Sequence, residues 1–384
     1  MTNKTIDLHI PFLKGEEKKF VLNALNKNEL TYGSYLTKFS KIINRITGSK
    51  YSVPIQNGTA GLFLCLKILN VNSKEEVIVP TITFIASVNC IRYCGASPIF
   101  MDTDKTGNID LEKTKEFIKK NTFTKKGSTF NKKTKKKISA IIIVHTFGNA
   151  VNLTSSILNF FRKKNIKVIE DAAESLGSYL IKNKKKTHTG TLGDIGFVSF
   201  NGNKIITSSG GGVILTSSKK NYIKINYLIN QAKSNNIEFI HDEIGFNFRL
   251  SNIHAAIGVA QIQQLKKILQ LKKKIYENYK NEINQIKGLF ILNNPTHSNS
   301  NNWLNVLEIT KDYKFSRKYI LKKLNKNKIS ARPVWIPNHL QKPYKSYQKY
   351  KIKNSIYFYK NFICLPSSAG LALNNIKKIH QLLK

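Results

Sequence analysis

The sequence predicts an α/β fold: a large domain built on a mainly parallel sheet with helices on both faces, followed by a smaller C-terminal α+β domain. Short β-rich runs alternate with helical patterns through the first two thirds of the chain, as βαβ units on a parallel sheet require. Polar clusters fall just after several of those runs, where sheets of this kind hold ligands outside the carboxyl ends of their strands. From about Ser251 the texture changes to one long helical pattern and then to a mixed, Lys-rich tail. A length of 384 residues, at roughly 150 per domain, allows two or three domains or one large fold with an appendage.

Strands are expected near Glu76 to Val79, Pro98 to Met101, Ala140 to Val144, Lys167 to Ile169, Gly196 to Phe200 and Gly212 to Leu215. Between them, Thr59 to Leu69, Phe84 to Tyr93 and Leu153 to Lys164 carry the apolar spacing of helices. The segment Lys119 to Lys137, KKNTFTKKGSTFNKKTKKK, is poor in apolar residues and reads as a solvated loop or hairpin inserted before the Ala140 strand. Asn252 to Tyr279 is expected to be a single helix. The domains are therefore drawn at 1–250, including an N-terminal segment and the basic insertion 119–137, and at 251–384. No internal repeat is visible.

Hydrophobic residues make up 41% and aromatic residues 10% of the chain, enough for a packed core and too much for a chain disordered throughout. No apolar run approaches the ~18 residues that cross a bilayer, and the first residues lack a signal-peptide core, so a soluble, unexported chain is expected. The charge is lopsided: 63 Lys+Arg against 22 Asp+Glu, formally +41. A nucleic-acid protein would draw on arginine for bidentate contacts, yet the arginines are only Arg45, Arg92, Arg162, Arg249, Arg317 and Arg332. Dispersed lysine beside abundant Ile and Asn reads as compositional skew, although its field favours anionic small molecules such as nucleotides. Cys65, Cys90, Cys94 and Cys364 form no CxxC pair and no zinc spacing, so buried free thiols, no metal and a reducing cytoplasm are expected.

Three segments carry chemistry. In KVIEDAAESLGS a β-branched strand ends in Glu170 and Asp171, and an acid there is costly unless it meets a cation. In GDIGFVSFNGNKIITSSGGGVILT, Lys204 follows a strand, flanked by Ser199, Gly202 and a Gly210 to Gly212 turn; a confined lysine can lose its proton and act as an amine nucleophile. In QNGTAGLFLCLKIL, Asn57, Gly58 and Thr59 open a helix whose free N–H groups and dipole suit a phosphate. Acid, amine and phosphate cradle together suit pyridoxal phosphate: Lys204 for the aldehyde, Asp171 for the ring nitrogen, the helix start and Ser199 for the phosphate. Phe84, in PTITFIAS, is placed to stack on the ring. Singly, each has a plainer alternative: Asp171 as a helix cap, Lys204 as a surface lysine, Gly58-Thr59 as a capping turn and Phe84 as core. Their order along the chain and shared address at strand ends favour the joint reading.

From IPFLKGEE through NGTAGL, VIVPTITFIASVN, VIEDAAESLGS, GDIGFVSFNGNK, GFNFRLSNIHAAIGVAQIQQL and RPVWIPNHLQKPYK to ICLPSS, the sequence resembles the DegT-type nucleotide-sugar aminotransferases, fold-type-I pyridoxal phosphate enzymes. The resemblance implies that Lys204 is the Schiff-base lysine and moves protons as acid and base, that Asp171 partners the ring nitrogen, and that Gly58, Thr59, Ala60 and Ser199 hold the phosphate. It places Phe84 on the ring and makes Asn247, in GFNFR, reach the phosphate of the neighbouring subunit, which implies a homodimer with shared active sites. Many members carry Gln or His where this chain has Glu174, so a contact of this cofactor-binding position with the ring oxygen would differ in charge.

HTFGN, HTGTLGDIG and HDEIGFNFRLSNI look like the branch that aminates a nucleotide-linked 4-keto-6-deoxy, N-acetylated hexose, toward bacillosamine or legionaminic acid and so toward surface polysaccharide. Glutamate is the implied donor and ping-pong kinetics the implied pattern. Arg249 and His339, with Tyr32 and Ser34, are the candidate substrate contacts. Perosamine-type and 3-amino-sugar aminotransferases share the core motifs and remain alternatives. So does a 3-dehydratase, which replaces the lysine by histidine, and, from another class, a basic nucleic-acid-binding or regulatory protein on the same fold.

Overall fold

A computed structural model describes residues 5–235 and 237–384. The residues of the large-domain expectation at 1–4 and 236 lie outside the described residues. A 10-stranded sheet runs in the order Tyr51–Ile55, Gly212–Thr216, Ile195–Ser199, Lys167–Asp171, Lys137–Val144, Glu75–Pro80, Ser97–Met101 and Lys349–Tyr350, with a hairpin of Thr122–Lys125 and Ser128–Asn131 joined at its side. The six strands from Ile195–Ser199 to Lys349–Tyr350 are mutually parallel. Gly212–Thr216 runs antiparallel to both its neighbours.

Tyr51–Ile55 is a strand that sequence patterning does not announce, because Pro54 interrupts it. Proline lacks the ladder N–H and is tolerated on an edge, which is where this strand lies. The IIIV run of Lys137–Val144 is buried along nearly its whole length, as a strand covered on both faces must be. Alternate residues supply the two faces. Val77, Val79, Ile142 and Ile169 join one core with the helix Gly58–Ile68, while Ile78, Ile141, Ile143 and Val168 join the other with Phe117 and Phe161 of helices Leu111–Asn121 and Ser155–Lys163.

The basic segment 119–137 begins as the last turn of Leu111–Asn121 and continues as the hairpin, whose Phe123 and Phe130 rings stack with centroids 5.7 Å apart. The long helix, Asn252–Ile283, starts where Ser251 caps the His254 N–H. Its first half packs on the helices Glu17–Asn26 and Ser34–Thr47, with Gly258 so close to Phe39 that a Cβ would sit 2.5 Å from the ring. Its second half gives Ile275, Tyr279 and Ile283 to the core of an antiparallel 4-stranded sheet, Leu289–Ile291, Asn305–Ile309, Phe362–Leu365 and Arg332–Pro333. Buried Lys272 donates to the Trp303 carbonyl at 2.7 Å and to that of Ser367, so this helix pins the stretch carrying Trp303 over the carboxyl ends of the parallel strands.

Candidate active site

Glu170 and Asp171 close the strand Lys167–Asp171 on opposite faces. Glu170 is fully buried, and its carboxylate is saturated by His145 Nε2 at 2.9 Å and by the N–H groups of Gly190 at 2.9 Å, Leu192 at 2.5 Å and Gly193 at 2.6 Å. Burial alone would raise its pKa, but the His145 contact and the backbone donors win and hold it below the ordinary value. Asp171 receives less: the Ser87 hydroxyl donates to Oδ2 at 2.7 Å and the Ala173 N–H to Oδ1 at 3.1 Å. Here burial wins over those bonds and over the Lys204 charge, and the pKa is raised. Among the described residues Asp171 is thus the acid without an ion pair, with Lys204 acting on it only from a distance.

Lys204 lies in a turn after Ile195–Ser199, its N–H donating to the Asn201 carbonyl at 3.0 Å. Its side chain is 12% exposed, with Nζ 4.0 Å from Glu174 Oε1 and 4.3 Å from the centroid of the Trp303 ring. The Trp303 indole N–H donates to the Asn203 carbonyl at 2.7 Å, which ties the lysine's turn to the C-terminal part of the chain. Asn57 caps the helix Gly58–Ile68 by accepting from the Ala60 N–H at 2.8 Å. Gly58 faces Ser199, and a Cβ at Gly58 would sit 3.1 Å from the serine's Cβ and Oγ.

Gly58, Thr59, Phe84, Asp171, Glu174, Ser199 and Lys204 all line one cavity of about 590 Å³. Ala60 is buried behind it, next to its cap. Asn247 is exposed and bridges to Asn230 away from the cavity wall. The other expected substrate contacts also lie outside this wall. Arg249 donates to the Tyr32 hydroxyl and stacks 3.9 Å from that ring's centroid, and Ser34 donates from N–H and hydroxyl to Glu29, each at 3.1 Å. His339 is buried with Nδ1 2.7 Å from the Thr81 hydroxyl, and burial, helped by the Lys349 charge, lowers its pKa to about 4, so the ring is neutral at pH 7.

Sequence reasoning missed Ser87, His9, Trp303, Arg332 and Trp335, all of which line the cavity. Two signals were present. The chain has only 2 tryptophans, and both line this space. Ser87 sits one helical turn beyond Phe84 in the same run, where the loop meets the helix Ala86–Tyr93.

The side chains fit pyridoxal phosphate on one observation in particular. A buried carboxylate without an ion pair shares a cavity with a confined amine and with a helix N-terminus whose first N–H groups have no partner one turn back. Comparison with known proteins agrees. The model of the DegT/DnrJ/EryC1/StrS aminotransferase family matches residues 11–384. The chain is 34% identical over 361 residues to a GDP-perosamine synthase of Escherichia coli O157:H7, covering 92% of this chain and 91% of the relative. It is 26% identical over 380 residues to a UDP-4-amino-4,6-dideoxy-N-acetyl-beta-L-altrosamine transaminase of Helicobacter pylori, covering 97% and 96%. Among solved structures, an E. coli GDP-4-keto-6-deoxy-D-mannose-3-dehydratase with bound hydrated PLP superposes with TM-score 0.85 at 22% identity, covering 99% of each chain, which speaks to the fold.

Proposed function

Because the chain belongs to the DegT/DnrJ/EryC1/StrS aminotransferase family, we propose that it moves an amino group from glutamate to C4 of a nucleotide-linked 4-keto-6-deoxy, N-acetylated hexose. The family's aminotransferases use pyridoxal phosphate, which supplies an aldehyde that carries the amino group and a ring that draws electrons from the reacting carbon. The observation that carries the proposal is the meeting of Lys204, Asp171 and the Gly58 helix start around one cavity.

In this reading the cofactor would supply the aldehyde that Lys204 Nζ holds, and Lys204 would move a proton at the reacting carbon as base and then as acid. Asp171 keeps the ring nitrogen protonated, held in place by the Ser87 hydroxyl. The N–H groups of Gly58 and Thr59, with the Ser199 hydroxyl, would hold the phosphate, next to Ala60, whose own N–H is taken by the Asn57 cap, and Phe84 would lie against the ring. Glu174 faces the amine and Trp303 shields it from water.

Asn247 reaches the site from a second copy. The exposed Ile237, Phe239 and Ile244 of its own segment support this, since apolar side chains 90%, 64% and 85% exposed ask for a partner surface. Tyr32, Ser34 and Arg249 serve the substrate in that dimer, and His339 acts through Thr81. Relatives named for GDP and for UDP sugars bracket the nucleotide, and the motifs HTFGN and EDAAESLGS favour the legionaminic acid or bacillosamine branch of amino-sugar biosynthesis. Free Cys65, Cys90, Cys94 and Cys364, and no described helix long and apolar enough to cross a membrane, fit a cytoplasmic reaction.

The test is to incubate the cofactor-loaded protein with UDP- and GDP-linked 4-keto-6-deoxy sugars plus glutamate and to read products by mass spectrometry. An amino sugar with stoichiometric 2-oxoglutarate is expected. Loss of the C3 hydroxyl without amination would instead make the chain a dehydratase, against its retention of Lys204.

A further inference from the structure

Two carboxyl groups approach Lys204, and they are held differently. Asp171 has both oxygens engaged, by Ser87 and by the Ala173 N–H. Glu174 has one: the Phe147 N–H donates to Oε2 at 2.8 Å, while Oε1 takes no hydrogen bond among the described residues and stands 4.0 Å from Lys204 Nζ. The support behind Glu174 is elaborate. Phe147 sits at φ 59 and ψ 14, a left-handed conformation costing a residue with a side chain roughly 1–3 kcal/mol, and the Glu174 carbonyl accepts from Asn301 Nδ2 at 2.9 Å. Strained backbone and a buried amide therefore aim one free carboxyl oxygen at the amine.

We propose that Glu174 is the proton partner of Lys204: it takes the proton the ammonium must shed to become a nucleophile and returns it when the lysine acts as an acid. The exchange balances, since Lys204 NH3⁺ and Glu174 COO⁻ become Lys204 NH2 and Glu174 COOH; one N–H bond breaks, one O–H bond forms, and no other reactant is needed. The gap closes by a turn of the lysine side chain or through one bridging water. The proposal rests on the reading of Lys204 as the reacting amine, and it concerns a position where a glutamine could carry no proton.

The surroundings suit a carboxyl that gains and loses a proton near neutrality. Burial is the largest influence on Glu174 and pushes it up to about 7; the Lys204 charge and the Phe147 N–H oppose this, and the Asp171 charge adds to it. Cys364, from the strand Phe362–Leu365, is pushed up to about 12 by burial and by Glu174, so it stays a neutral thiol. His9 also lines the cavity; burial, with the charges of Lys272 and Lys204, lowers it to about 2, so it stays a neutral imidazole. That leaves Asp171 and Lys204 as the charges facing Glu174.

Glu174→Gln tests this, because the amide still accepts from the Phe147 N–H but takes no proton. Three readouts are compared with wild type: the pH dependence of the single-turnover rate with glutamate, the pH titration of bound-cofactor absorbance without donor, and the pH dependence of urea stability in cofactor-free protein. Wild type should show a transition near pH 7 in the first two. The variant should lack it and lose about tenfold or more in rate, and Glu174→Asp should regain the transition. In cofactor-free protein the folded state keeps the Glu174 proton between its ordinary 4.5 and about 7, so wild type should lose stability relative to the variant as pH rises through that window. An unchanged rate, or a transition near 7 surviving in the variant, overturns the proposal. Borohydride reduction and peptide mapping of both proteins keeps the two readings apart: cofactor fixed to a residue other than Lys204 sinks the parent reading, whatever Glu174 does.

Discussion

Successive side chains on a strand face opposite ways, so the adjacent acids Glu170 and Asp171 have separate tasks: one is satisfied by four donors, the other left facing the cavity. Glu170→Gln should destabilise the fold by about 3 kcal/mol in urea titrations, because it turns a fully paired buried anion into an amide that clashes with N–H donors. The pH signature follows from the lowered pKa. The stabilisation from Glu170 is fully present above its ordinary value of 4.5 and disappears as pH falls below it, so wild type and variant should converge in acid. Asp171→Asn should leave the protein folded and the cofactor attached, yet lower the rate of the first half-reaction by about a hundredfold or more in rapid mixing, since a preorganised charge is removed. At this scale Lys204, Asp171, Ser199 and Gly58 were legible because strand ends and a helix start sit beside them in sequence. Trp303 and Arg332 were not, because they reach the cavity only once the C-terminal part folds back, held by contacts such as Lys272 to the Trp303 carbonyl.

Among the elements, the helix Gly58–Ile68 is the proposed phosphate site, and a Cβ at Gly58, 3.1 Å from Ser199 Cβ and Oγ, would crowd the serine beside its N-terminus. Gly58→Ala should push Ser199 aside, and cofactor affinity should fall about tenfold in absorbance titrations, equivalent to ~1.4 kcal/mol; unchanged affinity would place the phosphate elsewhere. Most parallel strands could be read from apolar runs such as IIIV. The direction of Gly212–Thr216 could not, because a run of apolar residues reads alike in a parallel or an antiparallel ladder, and the preceding glycine turn permits either. Tyr51–Ile55 was hidden by Pro54, whose tolerance depends on an edge position that only the assembled sheet defines.

For the whole molecule, the question is whether one chain suffices. Asn247 stands away from the cavity of its own chain, beside exposed Ile237, Phe239 and Ile244, so the account needs a second copy. Lys204→Ala and Asn247→Ala proteins should each be nearly inactive. Mixed and allowed to exchange subunits, they should regain part of the wild-type rate, because one site of the hybrid pairs an intact lysine with an intact asparagine. No recovery in a mixture shown by mass spectrometry to contain hybrids would confine the site to a single chain. The proposed function turns on Lys204 being the residue that the cofactor's aldehyde would join. Reducing the loaded wild-type protein with borohydride, digesting it and sequencing the pyridoxyl-bearing peptide by mass spectrometry should place the modification on Lys204 in SFNGNK, at one per chain. A modification on any other lysine, or none, would contradict the account.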